Sequence, residues 1–526
     1  MRWMPVAFVG LFLLAGCFGG GDDDDGPEAA PPIGATGDGW AARAVTNQGT
    51  DDRHDHGDPT QHEGFTTANF QVLGYDPLVT DYHGRPAGGT YCGNVAETED
   101  RTLAVYHSFT TNVVLHIIDL TDVTDPELIG ELVMPLTHVY DAAVTSDGRF
   151  AVLATTPKTS VPENPPTFVD GVATYRERLT FRDACGNESQ GPEENLPFSA
   201  GIVLVDLADP TRPTIVDYDA QPILGVHSIS TETIDGVTYI VGSTTNLVHG
   251  TGYYVFYTLE SLPAAGRPHL QPFGVFSAQY PVADVPDPQT TPLTSGHVDA
   301  TIQKHPLTDQ VLAYLANWDG GLVIIELVAP GNIEAVGHWT DYDPAKGSEM
   351  SGQWHSARPL HELRDGRHIT LFGQEIGGRP THRPTSLALL MDTTDPTDPK
   401  PVARWTLPVD PQWDGGAIWS THYLDLVGDT LFTSLYHGGV WAADASEEHW
   451  PNLPSVGVFV PNAAPPDLPV ALYADWDPLV MEVNHLSDGT LVILDGTSGA
   501  YTVRFTEDDP RVPPVSPWTE DGWVPE

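Results

Sequence analysis

The chain has 526 residues, with 72 acidic against 23 basic side chains and a formal net charge of −49. That charge repels phosphate and argues against a nucleic-acid partner, while 40% hydrophobic residues and 13 tryptophans argue against the disorder that acidity alone suggests. A folded surface so rich in carboxylate suits high salt, where screening suppresses self-repulsion, and a halophilic source is expected.

Residues 1–17 read MRWMPVAFVGLFLLAGC: one arginine, then an apolar run too short and one-sided for a good membrane span. The closing Leu14-Ala15-Gly16-Cys17 resembles the lipobox of prokaryotic lipoproteins. The resemblance implies a cleaved signal peptide and a lipid on Cys17. That lipid would hold the protein at the cell surface, on the outer side of the cytoplasmic membrane. An ordinary secretion signal with an incidental cysteine is the alternative. Residues 18–64, rich in Gly, Pro and Asp, cannot bury enough surface to order themselves and read as an acidic disordered tether. His54, His56 and His62 in "DRHDHGDPTQH" lie there, as a loose metal tract or as solvated linker. Setting Cys17 aside leaves Cys92 and Cys185, an even pair in an exported chain, for which a disulfide is expected.

From residue 65 to 510 one phrase recurs. It reads "NVVLHIIDLTDVTDPELIGEL" from Asn112, "GIVLVDLADPTRPTIVDYD" from Gly201 and "GLVIIELVAPGNIEAVGHW" from Gly321. It returns as "SLALLMDTTDPTDPKPVARW" from Ser386 and "GGVWAADASEEHWPNLPSVGVFV" from Gly438. Each is an aliphatic strand, an acidic residue (Asp119, Asp206, Glu326, Asp392, Asp444), a turn and a second strand. The acid accepts backbone N–H groups in the turn and proline presets φ for the reversal. Two more strands precede each phrase, so the unit is four antiparallel strands about every 60 residues, a β-propeller blade. The phrase resembles the LVIVD repeat family of bacterial and archaeal surface propellers, which implies the fold and says almost nothing about activity.

Outer strands are expected to end near residues 134, 218, 277, 342, 406 and 461. The last unit, "PLVMEVNHLSDGTLVILDGTSGAYTVRFTED", offers three strands, whereas "ANFQVLGYDPL" at 68–78 looks like an outer strand with nothing before it. The expectation is therefore an all-β, seven-bladed propeller closed by the N-terminal strand, which removes both loose edges. Residues 511–526 form a C-terminal tail, and the longest insertion, 157–199, falls in the second-to-third strand loop of the second blade.

His138, His227, His297, His355 and His422 each stand at the start of an inner strand, in five successive blades. His107, His249, His382 and His437 fall in loops of the same face, which the insertion and Cys92 are expected to share. Asp141, Asp299, Asp319, Asp425, Gln374 and Glu375 supply nearby oxygens. Imidazoles converging on an axis make a site suited to copper or zinc. The competing reading makes each histidine a repeat residue bonded to a neighbouring backbone. Two functions follow: a metal-dependent surface enzyme, redox or hydrolytic, or a non-catalytic propeller presenting its loops to a protein or glycan. The chain is expected to act as a monomer.

Overall fold

A computed structural model describes residues 69–76, 78, 90–108, 113–133, 137–157, 167–169, 172–183, 188–197, 201–220, 225–244, 253–261, 268–276, 297–318, 320–341, 353–375, 387–407, 420–436, 438–461, 479–496 and 499–506. The expected leader, tether and C-terminal tail lie outside these residues.

The aliphatic runs form seven antiparallel sheets. The inner strands are Thr90–Glu97, Thr137–Val144, Ser228–Ile234, His297–Lys304, Trp354–Pro359, Leu424–Val427 and Val480–His485. Each packs on the next, and the last returns to the first, so the sheets close into a ring. Outer strands of the first six blades end at Val133, Ala220, Phe276, Trp339, Thr406 and Phe459, close to the expected positions. The N-terminal strand Phe70–Asp76 completes the seventh blade, pairing antiparallel with Gly499–Phe505 from Phe70↔Phe505 to Asp76↔Ala500.

Continuous aliphatic runs are what blade stacking requires, because a middle strand is covered on both faces. In Gly201–Asp206, Val203 and Val205 join a cluster with Leu103, Val105 and Ile117 of the first blade. The alternate residues Ile202 and Leu204 join Ile229, Ile240 and Val255 of the third. A two-residue period sends neighbours to opposite faces. The strand-exit acids behave as turn residues: Asp119, Asp206, Asp392 and Asp444 accept the N–H two positions on, at 2.7–3.0 Å. Glu326 differs, accepting from the Gln310 side chain at 2.8 Å. Glycines on outer strands let the next blade's turn approach. A Cβ at Gly130 would lie 2.1 Å from the Pro210 carbonyl oxygen, and one at Gly337 would lie 1.9 Å from that of Pro396.

Around the channel, at least one polar side chain from each inner strand reaches the next blade. Asn94 accepts from the Val144 N–H at 2.6 Å, and Asp141 from the Ile229 N–H at 2.9 Å. Ser230 donates to the Ala300 carbonyl at 2.6 Å, and Asp299 bonds the Ala357 backbone. Arg358 donates to the Leu424 carbonyl at 3.0 Å, Asp425 meets His485 at 2.7 Å, and Asn484 donates to the Gly93 carbonyl at 3.2 Å. Asp141, Asp299 and Asp425 are thus parts of a hydrogen-bonded girdle, which satisfies polar groups that burial would otherwise penalise.

Within the insertion, the strand Val172–Asp183 pairs with the outer strand of the first blade, from Gly130↔Asp183 to Val133↔Thr180. Glu188–Pro197 and Thr167–Val169 pair in turn with Val172–Asp183. An outer strand offers unpaired N–H and C=O groups, and a neighbouring segment of strand satisfies them. Cys185, and with it the expected bridge to Cys92, lies outside the described residues.

Candidate metal centre at the channel mouth

The start of an inner strand pairs with the end of the second strand, so both sit at one mouth of the channel, as Trp354↔Gln374 shows in the fifth blade. The register there skips from Trp354↔Gln374 to Ser356↔Gly373, leaving His355 as the extra residue of a bulge. Bulges re-aim side chains and recur beside functional sites. His422 precedes the inner strand of the sixth blade, its N–H bonded to the Ser434 carbonyl at 3.0 Å. Glu375 follows the second strand of the fifth blade, its N–H bonded to the Gln353 carbonyl at 2.8 Å.

These three side chains meet. One ligand atom from each of His355, Glu375 and His422 lies within 4.8 Å of the other two. The imidazole centroids are 4.1 Å apart, and His355 Nε2 is 3.6 Å from Glu375 Oε2. His422 Nδ1 donates to the Met481 carbonyl at 3.0 Å, which leaves the lone pair on Nε2. His355 Nδ1 has no hydrogen-bond partner among the described residues. Tyr436 donates to Glu375 Oε1, fixing the carboxylate with its other oxygen toward His355. Burial pushes His355 down to about 3, and burial followed by the His355 ring holds His422 well below the ordinary histidine range. Both rings are therefore neutral, the protonation state a metal requires.

Two imidazoles and one carboxylate are a donor set for a divalent transition ion with positions left open. The ion and three ligands would carry one net positive charge. Glu375, 23% exposed beside two imidazoles at 2% and 4%, marks the side open to water. Such a site can lower the pKa of bound water or polarise a carbonyl.

Of the five histidines singled out in the sequence, His355 and His422 are brought together. The His227 ring instead stacks on Tyr140, with centroids 5.3 Å apart, and lies outside the three-residue group. His227 still influences His355 electrostatically. His138 pairs with Thr156 and His297 with Asn317 at the expected strand starts, but their side chains lie outside the described residues. Asp319, His249, His382 and His437 also lie outside them. Glu375 carries the oxygen, and its place directly after a blade's second strand is a signal that the sequence holds. Tyr436 was not legible, because its partner lies in the neighbouring blade. Tyr436→Phe should weaken zinc binding about 10–100-fold, as loss of a ligand-orienting bond does, with an unchanged melting temperature for the metal-free protein. Equal zinc affinities by competition titration would remove that role.

No protein-family model and no curated protein matches the sequence. Among solved structures the chain is similar to Sqt1 of Saccharomyces cerevisiae, with 11% identity over 83% of this chain and 99% of that one, at a TM-score of 0.47. The computationally designed Ika8 protein shares 9% identity over 83% of this chain and 100% of its own, at a TM-score of 0.38. A chain from a study of two prolyl endopeptidases shares 12% identity over 79% of this chain and 50% of its own, at 0.33. These likenesses carry no functional argument, and the seven-bladed propeller rests on its own sheets and their closure.

Proposed function

We propose that the protein is a lipid-anchored surface propeller of the LVIVD type, held through Cys17, that binds one divalent transition metal through His355, His422 and Glu375. The observation that carries the metal is the convergence of two buried neutral imidazoles and an oriented carboxylate at a water-facing mouth. Zinc or copper suits two nitrogens and one oxygen, and the open side favours activation of water, hence hydrolytic chemistry. The LVIVD-like repeat phrases support the family reading, and the Leu14-Ala15-Gly16-Cys17 leader supports the anchor.

Metal analysis of protein purified without chelator tests the centre. His355→Ala and His422→Ala should each remove one equivalent of zinc or copper that His227→Ala retains. A wild-type protein that takes up no metal on dialysis against zinc would sink the reading and leave a binding propeller for a protein or glycan.

A further inference from the structure

A second cluster of ligating side chains lies in the first two blades. In the first blade the register runs from Thr90↔Ser108 to Gly93↔Tyr106, so Tyr91 and Cys92 together oppose His107. His107 Nδ1 is 2.8 Å from the Cys92 carbonyl oxygen, which fixes the ring against the strand that carries the thiol. Asp141 comes from the inner strand of the second blade, its carboxylate held by the N–H groups of Ala142 and Ile229 at 2.8 and 2.9 Å. Ligand atoms of all three residues lie within 4.8 Å of one another. A carboxylate has about four lone-pair sites, so two backbone bonds leave room for a metal.

We infer that Cys92, His107 and Asp141 form a second metal site, joining the first and second blades, that takes a thiophilic divalent ion of the zinc class. Charge and burial decide the ion. A thiolate and a carboxylate cancel two positive charges, so the complex is neutral, as residues 3%, 0% and 5% exposed require. Binding sends the thiol proton to solvent and the Sγ lone pair to the metal. All three of its ligands are buried, in contrast to the mouth centre with its partly exposed carboxylate. A metal thiolate excludes the bridge to Cys185. In the structure Cys92 is a buried free thiol, and Asp183 pairs with Gly130 on the outer strand, three strands from Cys92.

The test loads full-length Cys17→Ser/Cys185→Ser protein, in which Cys92 is the sole cysteine, with cobalt(II). A thiolate-to-cobalt charge-transfer band is expected in the near ultraviolet, persisting in an added His355→Ala variant and at least tenfold weaker in affinity in an added His107→Gln variant. Zinc stoichiometry should be two, falling to one with His355→Ala. A stoichiometry of one that His355→Ala leaves unchanged, with the band intact, supports this site while removing the mouth centre. Absence of the band overturns the inference. So does a Cys92–Cys185 bridge found by non-reducing peptide mapping of the wild-type protein.

Discussion

Deleting residues 65–80 should lower the melting temperature of the whole propeller, whereas deleting 18–60 should leave it unchanged. The first deletion removes Phe70–Asp76, which binds three blades at once. Phe70 is 6% exposed and lies against Phe505, Phe459 and Phe432 with ring centroids 4.9, 6.1 and 6.2 Å away. Asn69 Nδ2 donates to the Val456 carbonyl of the sixth blade at 2.8 Å, and Asp76 Oδ2 accepts the Leu128 N–H of the first blade at 2.8 Å. Without the strand, Gly499–Phe505 presents an open edge and the ring loses its closure. Phe70→Ala alone should cost about 3–5 kcal/mol, the usual toll of a buried phenylalanine. Urea and thermal melts of the two truncations check the contrast, and equal midpoints would rule out closure by this strand.

Replacing Arg358 with methionine should destabilise the propeller most at neutral pH and above. Arg358 Nη1 is 3.5 Å from Asp425 Oδ2, and Nη2 donates to Asn484 at 2.9 Å. Asp299 and Glu482 also feel its charge. Burial pushes Asp299 up to about 6 and Glu482 well above the usual range, while Asp425, buried too, is held low by Arg358 and His485. Removing the guanidinium leaves Asp299 and Glu482 without their positive neighbour and Asp425 with His485 alone. The expected cost is about 2–3 kcal/mol, below the full penalty of a broken buried pair because the Arg358 side chain is 34% exposed.

The pH dependence has a definite sign. A carboxylate raised in the fold contributes stability below its unfolded value near 3.8, and that contribution is lost as pH rises through about 6. The variant's deficit should therefore narrow as pH falls from 7 toward 4. Buried histidines act oppositely in both proteins. His368, pushed down to about 4 by burial, withdraws stability as pH falls from its ordinary 6.5 toward 4, so the difference between variant and wild type is the quantity to read. A deficit that is constant across this range would show that Arg358 acts through packing and its hydrogen bonds to Leu424 and Asn484 rather than through its charge.

Strand order, blade number and closure were legible in the sequence because they depend on local, repeated features. Runs such as GIVLVD and the aspartate–proline turns specify strand and reversal within about twenty residues, and "ANFQVLGYDPL" supplied the missing outer strand. The shared face of His355, His422 and Glu375 also followed from strand order alone. Which rings touch did not, because that depends on how the blades are set around the channel and on bulges that turn single residues inward. His355 and His422, in adjacent blades, come within 4.1 Å, whereas His227, two blades back, stacks on Tyr140. Tertiary structure likewise made Asp141, Asp299 and Asp425 members of the girdle. Their hydrogen-bond partners lie on the next blade, 58 or more residues along the chain for Asp299 and Ala357, so no local pattern could announce them. It also carried the insertion to the edge of the first blade, because unpaired backbone groups there could be satisfied by a strand from outside the blade.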